Sequence, residues 1–79
     1  MIPMQPVESS QIHSAGFDAS RQILALRFRA GGPVYEYSGF TQEQYDAFLK
    51  AESKGKHFGA HIKGKFDFEK IAPPESQEK

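Results

Sequence analysis

The chain has 79 residues, which bounds it to one domain with a small core that must be compact and aromatic-rich. It has 7 Phe, 3 Tyr and no Cys, so disulfide staples, thiolate metal sites and a cysteine nucleophile are excluded. Ten basic and ten acidic residues cancel, which argues against a bulk polyelectrolyte binder but leaves room for a local charged patch.

No apolar run approaches the roughly 20 residues of a membrane span. Met1-Ile2-Pro3-Met4-Gln5-Pro6 has no basic n-region and no long apolar core, so no signal peptide is read there. The expectation is a cytoplasmic protein with no membrane partner. Residues 1–6 carry two prolines and no periodicity, and are read as a flexible arm. A domain is expected over residues 7–71 and a disordered tail over 72–79, where Pro73-Pro74 introduces a polar run.

A first strand is expected from Ser9 to Phe17, with Ile12, Ala15 and Phe17 as its apolar residues. Its alternation slips around Ser14-Ala15-Gly16, which predicts a bulge at Gly16. Asp18 and Ser20 then supply turn chemistry. Ile23 to Arg29 is the clearest strand. Leu24, Leu26 and Phe28 share one face, and Ile23, Ala25, Arg27 and Arg29 the other. Gly31-Gly32 permits positive φ at both positions of a primed hairpin turn, and Pro33 fits a strand start. Val34 to Phe40 is the third strand, with Tyr35 and Tyr37 pointing to the same side as Leu24 and Leu26. Thr41 with Gln44 three residues on is a capping box, and Phe40 and Tyr45 occupy its hydrophobic-staple positions. That predicts a helix from Gln42 to Glu52 with Tyr45, Phe48 and Leu49 as its buried stripe. Ser53-Lys54-Gly55 reads as its stop, with Gly55 as a left-handed cap. Phe58, Ile62 and Phe66 are four apart, so a second helix is expected from Lys56 to Ile62, with Asp67 to Ile71 packing loosely after it.

The fold expected is therefore α+β: a three-stranded antiparallel meander with two C-terminal helices packed on one face. Its core should hold Ile12, Leu24, Leu26, Phe28, Tyr35, Tyr37, Tyr45, Phe48, Leu49, Phe58 and Ile62.

Several residues resemble those of a known family. They are Val7, Ser9-Ser10, Ile12, Gly16-Phe17-Asp18, Leu24, Leu26, Phe28, Gly32, Val34-Tyr35-Glu36-Tyr37, Tyr45, Leu49, Ala51, Ser53, Gly55, Phe58, Ile62 and Phe66. In this order they resemble the KTSC domain, a module found at the C-terminus of some lysyl-tRNA synthetases and also as a free-standing protein. The signature carried over is Tyr35-Glu36-Tyr37, then a helix and Ser53-Lys54-Gly55-Lys56-His57-Phe58. Phe17 and Phe40 depart from it, standing where a Tyr and a Val-Pro-like pair are expected. The resemblance implies a family without an established function, for which RNA binding has been suggested.

The chemistry visible in the residues is binding chemistry. Lys54, Lys56, Lys63 and Lys65 form an acid-free basic stretch suited to phosphates, with Arg27 and Arg29 as weaker candidates. Tyr35, Tyr37, Phe58 and His57 are candidates for base stacking. The opposing reading buries Tyr35 and Tyr37 in the core and leaves the lysines an ordinary solvated surface. His57 and His61 share a helical face, but no Glu follows His57 and His13 is remote, so no metal site is expected. The serines lack a nucleophile elbow, and the spacing of Gly55, Gly59 and Gly64 is not that of a phosphate loop. No catalytic residue, cofactor or small-molecule substrate is expected. The leading expectation is a non-catalytic RNA-binding module. The rival is a protein-interaction or self-associating domain that uses an exposed sheet edge, or a patch around Ile23 and Val34.

Overall fold

The computed structural model describes residues 2–71. Five antiparallel strands lie in sequence order across one sheet. They are β1 (Gln5–Pro6), β2 (Ser14–Asp18), β3 (Ile23–Arg27), β4 (Val34–Ser38) and β5 (Phe68–Ile71). Helices α1 (Gln42–Lys50) and α2 (Lys54–His61) lie between β4 and β5. The α+β class and the central antiparallel meander are as the sequence predicts. The three-stranded limit is corrected to five strands, and the helices are followed by a strand rather than ending the fold. The expected tail, 72–79, lies outside the described residues.

The register assigns every strand residue to a side. Ala15, Leu26, Tyr35 and Lys70 form one cross-strand row, and Phe17, Leu24, Tyr37 and Phe68 the next. This is the inner face. Tyr45 of α1 stacks on Phe17 at 4.9 Å between ring centroids, and Phe58 of α2 meets Tyr37 edge-on at 5.7 Å. Both helices therefore cover one side of the sheet, as expected. The outer face carries Asp18, Ala25, Arg27, Val34, Glu36, Glu69 and Ile71.

Both unexpected strands are at the sheet edges. The N-terminal arm, expected to be flexible, instead contributes a strand. Gln5 and Pro6 pair with Ala15 and Ser14, and Ile2 is buried. Its path explains Gly16. The β2–β3 register runs without interruption, so there is no bulge. A Cβ at Gly16 would instead run into the Pro3 carbonyl and the Ile2 side chain, so glycine is required by the arm crossing above it. At the other edge, Ser38 N donates to Asp67 O at 2.9 Å and leads β5 into register against β4.

Other boundaries move for local reasons. Ser9 Oγ accepts from the amides of Gln11 and Ile12, so 9–12 is a turn and β2 starts later than expected. Of Gly31 and Gly32, only Gly31 takes positive φ, at 75°, so the connection to β4 is not a two-residue primed turn. Gly55 is not a left-handed cap. It lies inside α2 beneath the Gln11 side chain, and α1 ends instead at an extended Ala51.

Helix α1 begins as the sequence predicts. Thr41 Oγ1 accepts from Gln44 N at 3.2 Å, and Gln44 Oε1 accepts from Thr41 N at 2.9 Å. Its buried stripe is narrower than expected. Tyr45 and Phe48 are buried, but Leu49 is 36% exposed. At about 100° per residue, Leu49 points roughly 70° away from the midline of the other two. Phe40 takes the vacated role. It is fully buried, meeting Phe66 at 5.1 Å and Phe17 at 6.3 Å. Ile12, Leu24, Leu26, Tyr37, Tyr45, Phe48 and Ile62 are core as expected, whereas Phe28, Tyr35 and Phe58 pack against the core half-buried.

Candidate nucleic-acid interface

The half-buried aromatics form one continuous wall. Phe28 meets Tyr35 at 5.4 Å and Phe58 at 5.2 Å. Phe68 meets Tyr35 at 5.8 Å and Tyr37 at 5.4 Å. The wall is built by β4, β5, the end of β3 and the underside of α2. Its depth is graded. Tyr37 is 4% exposed, Phe28, Tyr35 and Phe58 are intermediate, and Phe68 is 58% exposed. Burial holds the Tyr37 phenol up at about 12, with Tyr35 adding to the shift. Tyr37 is thus a structural ring under the wall. Of the two signature tyrosines, Tyr35 alone retains an accessible flank.

Charge is segregated around this wall by the pleat. The strand acids Asp18, Glu36 and Glu69 all fall on the outer face. Lys70, two residues from Phe68, falls on the inner face with the aromatics. Helix α2 carries Lys54 and Lys56 and no acid, and Lys63 and Lys65 follow it in the connection to β5. The acids Glu43 and Asp46 belong to α1, whose Tyr45 packs at the β2 end of the sheet.

The expected contact residues separate into two groups. Lys56, Lys63 and Lys65 are exposed and lie on α2 or in the turn that follows it. Lys54 is half-buried, and its Nζ donates to Ala51 O at 3.5 Å, capping the end of α1. His57 lies 5.9 Å from Phe48 and 4.6 Å from the His61 ring. Burial, then the neighbouring imidazole, pushes its pKa down, so near neutral pH it is an uncharged wedge between the helices rather than a phosphate ligand. Arg27 lies on the outer face, between Ser14 and Val34. Arg29 lies in the β3–β4 connection with its stem against Gly32. The register thus turns Arg27 away from the aromatic side of the sheet.

Phe68 and Lys70 were not among the expected contacts. The signal available was the alternation from Phe66 to Ile71, in which Phe66, Phe68 and Lys70 interleave with Asp67 and Glu69.

Two other features are chemically bland. His13 Nδ1 lies 3.2 Å from Ser14 Oγ, but Ser14 is buried and offers no nucleophile to a substrate. His57 and His61 line a cleft of about 280 Å³ with Phe40, Gln44, Ala47 and Ile62. Among the described residues, no third metal-ligating side chain joins them. On the outer face, Ile23 and Val34 are half-buried, and β5 sets Ile71 beside Val34. The large hydrophobics exposed among the described residues are Leu49 and Phe68, neither of them on that face. No helix of the described residues is long and apolar enough to cross a membrane.

Comparison with known proteins agrees with this architecture. A crystal structure of a KTSC domain protein from Yersinia pestis superposes with a TM-score of 0.84 at 40% identity, covering 91% of this chain and all of that one. A small protein of Tsukamurella paurometabola is 49% identical over 63 residues, 80% of this chain and 92% of its own length. A lysine–tRNA ligase of Nostoc punctiforme is 36% identical over 71 residues, 90% of this chain but only 12% of the ligase. The KTSC domain profile matches residues 8–66, which includes the tyrosine pair, both helices and most of the aromatic wall but stops short of β5. The chain belongs to the KTSC domain family.

Proposed function

We propose that this domain is a non-catalytic RNA-binding module acting in the cytoplasm. One observation carries the reading: the inner face of β4 and β5 carries Tyr35, Tyr37, Phe68 and Lys70, beside an α2 that holds lysines and no acid, while the strand acids turn to the opposite face. RNA offers the matching pair of chemistries, unstacked bases and phosphates. Similarity to a segment of lysine–tRNA ligases adds to it, because those enzymes handle RNA by name. Lys56, Lys63 and Lys65 hold the backbone, and Tyr35 and Phe58 border the bases. Lys54 and His57 act indirectly, by fixing α2 against α1.

The test is titration of labelled RNA at about 50 mM and about 200 mM salt. Binding is expected at the lower salt and should weaken steeply at the higher. Lys→Ala at positions 56, 63 and 65 should each flatten the salt dependence by about 0.7 of a counterion. Absence of binding at low salt, or binding indifferent to all three substitutions, overturns the proposal.

A further inference from the structure

Strand β5 lies outside the residues matched by the KTSC profile, yet it supplies the most exposed ring of the aromatic wall. Phe68 packs at a tilt against Tyr35 and Tyr37, at 5.8 and 5.4 Å, while more than half of it meets solvent. The pleat sets Lys70 on the same face, and Lys63 and Lys65 lie in the connection that leads from α2 into the strand. A half-open ring with a cation on its own face, and two more lysines in the connection before it, is suited to an unpaired base with phosphates beside it. A duplex offers no such base. In A-form RNA the base faces are stacked on one another, and a ring set into a wall cannot reach them.

Building on the RNA reading above, we propose that β5 is the base-stacking position of the domain and that its ligand is single-stranded RNA. A base lies on Phe68 with Tyr35 beside it, and Lys70 and Lys65 take the adjoining phosphates. Recognition at Phe68 tolerates any base, because every base has a π-face.

The experiment is fluorescence anisotropy at low salt with three labelled probes: an oligoadenylate, an oligouridylate and a blunt RNA duplex of the same length. Both single strands should bind, and the duplex should bind at least about tenfold more weakly. Phe68→Ala should lower single-strand affinity by roughly tenfold or more, whereas Phe68→Tyr should retain it. Because Phe68 is largely exposed, the Ala variant should keep the wild-type circular dichroism spectrum, and Lys70→Ala provides a second variant with no aromatic packing to lose. A duplex bound as tightly as the single strands, or Phe68→Ala and Lys70→Ala both binding like wild type while Lys63→Ala weakens binding, overturns the stacking position and leaves the RNA reading standing. Failure of all three probes to bind removes both.

Discussion

Asp18 organises the turn that joins β2 to β3, and it does so as a charged group. Its Oδ1 accepts from Ser20 N at 3.0 Å, Ser20 Oγ at 2.7 Å and Arg21 N at 3.2 Å. Its Oδ2 accepts from Arg21 Nε at 2.7 Å. The Arg21 side chain, followed by the Ser20 hydroxyl, holds the carboxyl down at about 2. The turn also keeps Gln22 at φ 56°, and Gln22 O accepts from Phe40 N at 2.9 Å, tying the hairpin to the entry of α1. A folded pKa below the unfolded value of about 3.9 means that the folded state binds fewer protons in the interval between them. Asp18 therefore contributes its full stabilisation above about pH 4, and that contribution is lost as pH falls through about 2. Asp18→Asn keeps an acceptor for the turn amides but has nothing to titrate. Urea midpoints measured from pH 5 to 2 should separate wild type from the variant at the upper end and converge at the lower. Parallel curves across that range would show that the carboxylate is not what responds.

Among the elements, the helices differ in how they are held. α1 has a reciprocal capping box and two fully docked aromatics, Tyr45 and Phe48. α2 has a single cap, Ser53 Oγ accepting from Lys56 N at 3.3 Å, and no fully buried residue. It also contains Gly55 and Gly59, each about 1 kcal/mol worse than Ala in a helix interior. Thr41→Ala and Ser53→Ala should each cost about 1 kcal/mol by urea denaturation. Hydrogen exchange should tell them apart. Ser53→Ala should speed exchange across Lys54–His61 selectively, since less tertiary burial opposes fraying there, and should weaken RNA binding by loosening Phe58. Thr41→Ala should leave both unchanged. Equal exchange in α2 with and without the Ser53 hydroxyl would contradict this. The same contrast governs what the sequence made legible. α1 was readable because its cap and its aromatic spacing agree. The start of α2 differs from the expectation because Ser53 and Gly55 look like a helix ending, whereas Gly55 lies inside the helix beneath the Gln11 side chain. β3 and β4 were readable from their alternation. β1 and β5 were not, because an edge strand of two or four residues takes its conformation from its neighbour rather than from its own pattern. For that reason the lysines of the candidate site were legible and Phe68 was not.

At the scale of the whole molecule, the edge strands of the sheet among the described residues are β1 and β5, and both are poor templates for further strands. β1 offers two residues, one of them Pro6, which has no amide hydrogen. β5 is longer, but its charges restrict it. In an antiparallel pairing with a second copy, residues directly opposite must lie on the same face. For β5 the best-overlapping registers set Lys70 opposite Lys70 of the second copy, or Glu69 opposite Glu69. Like charges so placed destabilise the pair by up to about 1 kcal/mol each. Like charges beside Phe68 thus oppose self-pairing along this edge. A monomer is expected by light scattering across a wide range of protein concentration. Lys70→Val should reverse this, because the register that sets position 70 opposite itself loses its like-charge pair, and an edge that also carries Phe68 and Ile71 then invites strand addition. Lys70→Glu restores a like-charge pair and should remain monomeric. If the Val variant also stays monomeric at high concentration, charge at position 70 is not what protects the edge. If the Glu variant associates, the pairing does not use that register.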